Sequence, residues 1–202
     1  MCLAEADQHG GIVMSGSKVY RLVGVAMLAA VGFVLMNFGI PLFFPFLKLD
    51  FSDLTVLLGG LIYGPVGGIA VAFVRSLLHW VFTGGGIVNL IGDAAAFIAS
   101  VGFMVPVVLA IRNHTSVPRQ LLGLGLGTLS LTAIMSVLNW LVLMPLYLWA
   151  WNFKLGMSTL RYVLVGVIPF NLIKGLVISI VFFAVAKALM PWLEKHGAVH
   201  PA

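Results

Sequence analysis

Two polar side chains in the last apolar segment of this chain have the types and spacing of a binding site. Asn171 and Lys174 are three residues apart, so on a helix they share a face and lie about 4.5 Å apart along its axis. An amide that donates and accepts, beside an ammonium, suits a polar ligand held among helices. The alternative is structural: the ammonium forms an ion pair and the amide bonds a neighbouring helix. The acids considered for such a pair are Asp50, Asp53 and Asp93.

Asp50 and Asp53 lie in a short break between two apolar runs. Both can begin a helix, because Asp and Ser are favoured at helix N-termini. An enzymatic alternative is that they hold Mg²⁺ against a phosphate in an intramembrane transferase, although such sites usually need more oxygen ligands. The sequence lacks the signatures G-x-x-x-x-G-K-[ST], H-E-x-x-H and G-x-S-x-G. Cys2 is the only cysteine, which excludes a cysteine-based metal cluster. We therefore predict no catalytic residue and no metal site.

Other polar residues lie within or beside the apolar runs, where burial in hydrocarbon is costly. Arg75 lies toward the end of a predicted helix, so its side chain is expected to extend toward the membrane surface. His79 is expected at that interface. Asp93 is expected to stabilise the first turn of a helix that begins near residue 90. Asn89 is either a ligand-binding residue or a loop cap, and Asn139 lies well inside an apolar run.

The elements that must position these residues are membrane helices. Hydrophobic residues make up 61% of the 202-residue chain and charged residues 8%, and the apolar runs are continuous rather than alternating, which favours helices over a β-barrel. We predict an all-α integral membrane protein with six transmembrane helices. The predicted spans are 20–37, 53–63, 65–83, 90–111, 120–149 and 161–190. The second and third meet at Tyr63-Gly64-Pro65, where one long bent span is the alternative. Residues 1–17 are expected to be a disordered tail, 18–190 the membrane domain and 191–202 a cytoplasmic tail.

The basic residues predict the orientation of these spans. With six spans, six of the Lys and Arg residues considered fall on one side and three on the other. The larger group is Lys18, Arg21, Arg112, Arg119, Lys187 and Lys195, and the smaller is Lys48, Lys154 and Arg161. The richer side is cytoplasmic by the positive-inside rule, which places both termini in the cytoplasm and the Lys48 loop outside. Because no basic run interleaves with aromatic residues, the formal net charge of +5 does not indicate nucleic-acid binding.

Four stretches resemble a known family of membrane proteins. They are residues 47–53 (LKLDFSD), 64–69 (GPVGGI), 77–79 (LLH) and 171–174 (NLIK). Together they are similar to the substrate-binding S-components of energy-coupling factor (ECF) vitamin transporters, in particular the riboflavin-binding RibU family. The resemblance covers most of residues 18–190. It departs from the family pattern at Thr55, where Pro is common, and at Arg75-Ser76, where Lys-Asn is common.

The resemblance implies a binding site for riboflavin. It implies that Asn171 and Lys174 hydrogen-bond the isoalloxazine edge, that Asn139 meets the ribityl chain, and that the loop between the first two helices covers the site as a gate. The residues expected to bind substrate are Asn139, Asn171, Lys174, Asn89, Phe46, Leu47 and Lys48. Those expected to form the gating loop are Pro41, Phe43, Phe44, Phe46 and Leu49.

The resemblance also implies partners in the cell membrane and the cytosol. Ala26 and Ala30 on the first helix would dock a transmembrane coupling subunit of the EcfT type, although their spacing fits ordinary helix packing equally well. Two cytosolic ATPase subunits would drive uptake, so the chain itself would not be an enzyme. Riboflavin would be a transported substrate rather than a cofactor. The alternatives are an S-component for another vitamin or related small molecule, and the Mg²⁺-dependent transferase that uses Asp50 and Asp53.

Overall fold

The described residues fold into a bundle of helices with one short β-ribbon. A computed structural model describes residues 18–42, 44, 47–111, 116–151 and 156–195. The helices are α1 (Lys18–Asn37), α2 (Ser52–Phe82), α3 (Ile87–Ile111), α4 (Val117–Leu138), α5 (Met144–Trp151), α6 (Thr159–Tyr162) and α7 (Ile168–Lys195). The strands β1 (Ile40–Pro41) and β2 (Lys48–Leu49) pair antiparallel, with Ile40 opposite Leu49 and Pro41 opposite Lys48. The helical fold class predicted from the sequence is confirmed.

The chain reverses direction within α2. Gly64 has φ 82° and ψ 173°, a backbone conformation that is essentially restricted to glycine. A Cβ added to Gly68 would lie 2.9 Å from the Cα of Gly60, whereas eight residues of straight helix span about 12 Å. The two halves of α2 are therefore antiparallel neighbours. The break predicted at Tyr63-Gly64-Pro65 lies at this reversal.

Among the described residues, five helical segments have the length and apolar composition needed to cross a membrane. They are Lys18–Asn37, Ser52–Phe82, Ile87–Ile111, Val117–Ala150 and Thr159–Ala188. The second is the reversed helix α2, so both of its halves count as one segment. The last helix continues to Lys195, beyond the predicted end of the span at residue 190.

Two of these segments each contain a π-helical turn. Residues Asn139–Leu143 join α4 to α5, and Val163–Val167 join α6 to α7. A π turn inserts extra backbone into a helix and changes the direction of the side chains that follow it, and it often occurs at functional sites. The first turn begins at Asn139, and the second ends four residues before Asn171; the sequence singles out both residues.

Glycines bring the central helices close together. A Cβ added to Gly127 in α4 would lie 2.8 Å from the backbone oxygen of Phe103 in α3, and one added to Gly60 would lie 2.7 Å from the sulfur of Met104. Such contacts leave no room for a side chain, so close packing explains both glycines. This packing fixes the positions of α2, α3 and α4 around the candidate site.

Candidate ligand-binding site

A cavity of about 240 Å³ lies among α2, α3, α4, α7 and the β-ribbon. Six of the residues that the sequence predicts to bind substrate line it: Leu47, Lys48, Asn89, Asn139, Asn171 and Lys174. The seventh, Phe46, lies outside the described residues. Small residues of α3 form one wall, among them Gly92, Ala95, Ala96 and Ala99. The fold thus brings together residues that lie as far as 127 positions apart in the sequence, from Leu47 to Lys174.

Lys174 is held by two buried acids. Its Nζ lies 3.0 Å from Oδ2 of Asp53 and 3.6 Å from Oδ2 of Asp50. Lys174 is only 6% exposed, and a buried ammonium requires such compensation. The ion pair that the structural alternative predicted for Lys174 is therefore present, with Asp50 and Asp53 as its partners. Lys174 also lines the cavity.

Asp53 is the centre of a group of charges that we call the inner charge cluster, made of Asp53, Arg75, Ser100 and Lys174. Nη1 of Arg75 lies 3.3 Å from Oδ1 of Asp53, and Nη2 donates to the hydroxyl of Ser100 at 2.8 Å. The Ser100 hydroxyl in turn donates to Asp53. The expectation that Arg75 extends to the membrane surface is wrong, because it is fully buried. The cluster joins both halves of α2 to α3 and α7.

Asp50 connects the β-ribbon to the first turn of α2. One of its carboxylate oxygens accepts the backbone N–H of Ser52 at 2.9 Å and also the Ser52 hydroxyl. Asp50 is not the N-cap itself, because Phe51 occupies that position and no side chain caps it. The other carboxylate oxygen of Asp50 faces Lys174. The carboxylates of Asp50 and Asp53 are already paired with the side chains of Lys174 and Arg75. A magnesium ion bound by these carboxylates would have to displace those two cationic groups. Among the described residues, no group of three His, Cys, Asp or Glu side chains has metal-binding geometry.

The two candidate amides are anchored by their own helices. Nδ2 of Asn139 donates to the backbone oxygen of Met135 at 2.8 Å, and its Oδ1 accepts from the Tyr162 hydroxyl at 3.4 Å. Nδ2 of Asn171 donates to the backbone oxygen of Val167 at 2.8 Å. Each of these backbone bonds uses one of the two N–H donors of an amide and fixes the side chain on the cavity wall.

A further polar pair on this wall, His79 and Asp93, was not predicted from the sequence. Nδ1 of His79 donates to Oδ1 of Asp93 at 2.7 Å, and both residues line the cavity. The expectation that Asp93 belongs to the first turn of its helix is wrong, because α3 begins at Ile87 rather than near residue 90. The turn before it is tight, with positive φ at Gly84 and Gly85. The pair could have been predicted from two features of the sequence: Asp93 is an acid within an apolar segment, and His79 lies near the end of the preceding helix.

Asn89 makes the loop-capping bond that was one of its two predicted roles. Its Nδ2 donates to the backbone oxygen of Thr83 at 3.0 Å, which ties the turn between α2 and α3 to the first turn of α3. Asn89 also lines the cavity. The hydrogen bond to Thr83 agrees with the loop-capping role. A contact between Asn89 and a ligand stays a prediction.

The predicted gating loop approaches the cavity through its second half. Leu47, Lys48 and Asp50 line the cavity, whereas the ring of Phe44 packs edge-on against Tyr162 with centroids 4.9 Å apart. Leu49 is buried and Pro41 is exposed. Phe43 and Phe46, also predicted for this loop, lie outside the described residues.

The predicted docking residues lie on the outer side of the bundle. Ala26 and Ala30 are exposed on α1, whereas Ala29 and Gly32 on the same helix are buried. A Cβ added to Gly32 would lie 2.5 Å from Oγ1 of Thr55, so this face of α1 packs on α2. Ala26 and Ala30 lie on the exposed part of the helix, which is available to a partner or to lipid.

The chain is similar to known proteins over most of its length. The family described as ECF transporter, substrate-specific component, matches residues 20–186. Riboflavin transporter FmnP from Bacillus subtilis (strain 168) is 38% identical over 187 residues, which cover 91% of this chain and 98% of that protein. Riboflavin transporter RibU from Staphylococcus aureus (strain TCH60) is 39% identical over 178 residues, covering 87% and 93%. A solved S component of a bacterial ECF transporter superposes with a TM-score of 0.74 at 38% identity, covering 88% of this chain and 99% of that chain.

Proposed function

This chain belongs to the family of substrate-specific components of ECF transporters, and from that premise we propose that it captures riboflavin at the outer face of the cell membrane for ATP-driven uptake. The observation that carries the proposal is the convergence of Asn139, Asn171 and Lys174 on one cavity. The names of the two riboflavin transporters at 38% and 39% identity support the choice of substrate. The family is a transport component and not an enzyme.

The proposed binding mode uses both polar and apolar walls. The isoalloxazine edge carries carbonyl and ring-nitrogen acceptors and one N–H, which match the donors of Lys174 and the amide of Asn171. Asn139 bonds the ribityl chain. The flat ring lies against the small residues of α3, where Ala95, Ala96 and Ala99 present no bulky side chain. Riboflavin is the transported substrate in this scheme, and no cofactor takes part.

Substrate entry requires the loop between α1 and α2 to move. The cavity measures about 240 Å³, whereas pockets for small organic ligands usually measure roughly 300–1,000 Å³. Since Leu47 and Lys48 form part of the wall, displacement of the β-ribbon enlarges the cavity and opens it to the outside. We infer that residues 41–49 act as the gate.

The proposed topology has six membrane crossings with both termini in the cytoplasm. The two antiparallel halves of α2 supply the second and third crossings. Arg21, near the start of α1, donates to the backbone oxygen of Tyr63 at 2.8 Å, which supports placing the Gly64 reversal on the same side as the N-terminus. Residues 18–190 form the membrane domain in this arrangement, with residues 1–17 and 191–202 as tails.

Transport requires partners that supply energy. We infer that a transmembrane coupling subunit docks on α1 at Ala26 and Ala30, because small exposed side chains let a second helix approach closely. Two cytosolic ATPase subunits complete the assembly. Replacing both alanines by Leu is expected to abolish uptake while riboflavin binding to the isolated S-component is retained.

Riboflavin titration of the detergent-purified protein tests the substrate. Binding is expected to quench flavin fluorescence, because the isoalloxazine enters a site beside aromatic side chains, and quenching is expected to saturate at one riboflavin per chain. Other vitamins in excess should fail to relieve the quenching. A protein that leaves riboflavin fluorescence unchanged, or that prefers another vitamin, would exclude the flavin assignment.

A further inference from the structure

Asp93 is a buried carboxylate that is only half satisfied. It is 4% exposed, and its Oδ1 accepts the hydrogen bond from His79. Its Oδ2 is buried and has no hydrogen-bond partner among the described residues. Buried carboxylate oxygens are normally paired, since desolvation without a partner is costly. Because Asp93 lines the cavity, the missing partner is expected to arrive with a ligand.

The chemistry of Asp93 restricts what that ligand group can be. An ionised carboxylate only accepts hydrogen bonds, so the group must be a donor, an O–H or an N–H. His79 already occupies Oδ1 and fixes the orientation of the carboxylate. A phosphate or another anion would be repelled at this position, whereas a neutral hydroxyl would form a charge-assisted bond.

The position of Asp93 along α3 decides which part of riboflavin it meets. Ser100 bonds Asp53, and Asp53 pairs with Lys174, so Ser100 marks the level at which the isoalloxazine edge is proposed to bind. Asp93 precedes Ser100 by seven residues, which places it on the same helix face about 10 Å away along the axis. The ring N–H lies at the isoalloxazine edge near Lys174 and Asn171. The ribityl chain, which carries the hydroxyl groups, can extend to Asp93.

We propose that Asp93, oriented by His79, accepts a hydrogen bond from a ribityl hydroxyl and thereby distinguishes riboflavin from flavins without that chain. This inference rests on the proposed function, because it assumes that a flavin occupies the cavity. Asp93 is the binding residue and His79 is a positioning residue.

A comparison of riboflavin with lumiflavin tests the assignment. Lumiflavin has the same ring system but a methyl group in place of the ribityl chain. In the purified full-length protein, Asp93→Asn is expected to raise the Kd for riboflavin by about 10- to 100-fold, and Asp93→Ala by at least as much. The Kd for lumiflavin is expected to change by less than about threefold in both variants. His79→Asn is expected to give a smaller loss that is again confined to riboflavin.

The outcomes separate this inference from the proposed function. Equal weakening of riboflavin and lumiflavin would mean that Asp93 only supports the structure, and would overturn the inference. An unchanged Kd for riboflavin in both Asp93 variants, with the unsubstituted protein binding normally, would also overturn it while leaving the proposed function intact. Failure of the unsubstituted protein to bind riboflavin would instead overturn the proposed function. Retained lumiflavin binding serves as the control that the variants fold.

Discussion

Asp53 and Asp93 are both buried carboxylates among the helices, but their surroundings differ. Oδ1 of Asp53 meets Arg75 and Ser100, and its Oδ2 meets Lys174 at 3.0 Å. Asp93 has His79 on one oxygen and no partner among the described residues on the other. A fully partnered acid holds helices together, whereas a half-partnered acid beside a cavity has capacity left for a ligand. We infer that the inner charge cluster maintains the shape of the site and that the His79–Asp93 pair responds to substrate.

The largest effect is expected at the inner charge cluster. Asp53→Ala leaves the buried side chains of Arg75 and Lys174 without their shared counter-ion, and breaking a buried pair in this way typically costs about 3–5 kcal/mol. Thermal unfolding of the purified protein should show a large fall in Tm, together with loss of binding for riboflavin and lumiflavin alike. Asp93→Ala, the matched substitution at the other acid, should lower Tm much less, because it leaves no buried cation without a counter-ion. Equal Tm values for the two variants would contradict the division of roles.

A smaller effect is expected at Lys174, which belongs to both regions. If its ammonium also bonds the ligand, Lys174→Ala should weaken riboflavin binding by about 1.5–3 kcal/mol, and the same loss should appear with lumiflavin because the contact is to the ring. Fluorescence titration measures this affinity, and thermal unfolding measures the stability lost when Asp50 and Asp53 lose their partner. Reduced stability with unchanged affinity in the folded fraction would make Lys174 purely structural.

The smallest of these effects is expected at Asn171. Its amide is neutral, so the loss of one ligand bond in Asn171→Ala should cost about 0.5–1.5 kcal/mol. The backbone bond to Val167 is local to its helix, and its loss should hardly change Tm. Asn139→Ala offers a comparison at the second amide, since riboflavin alone should be affected there if Asn139 meets the ribityl chain. A large fall in Tm in Asn171→Ala would mean that Asn171 stabilises the fold rather than binds the ligand.

The sequence predicted the parts of the site that depend on local spacing. Asn171 and Lys174 share a helix face because three residues separate them, and glycine followed by proline at positions 64 and 65 predicted the reversal that the φ of 82° produces. These features depend only on residues that are near each other in the chain, so they can be predicted from the spacing of residues in the sequence.

The parts that the sequence did not predict depend on which helices become neighbours. Arg75 is buried rather than interfacial because the reversal at Gly64 brings it to Ser52, where its Nη1 donates to the hydroxyl at 2.7 Å. Asp93 was assigned to a helix start because the exact beginning of α3 depends on the turn at Gly84 and Gly85. Neither the partner of a charged residue nor the start of a helix after a glycine-rich turn can be read from composition alone.

A structure of the protein with riboflavin bound tests the central claim most directly. The account predicts the ligand in the cavity, with the isoalloxazine edge at about 2.7–3.2 Å from the polar atoms of Asn171 and Lys174, and a ribityl hydroxyl at the same range from Asp93. The Asp53–Arg75 contact should be unchanged from the unliganded state. Riboflavin bound outside this cavity, or held in it without contact to Asn171 and Lys174, would contradict the account.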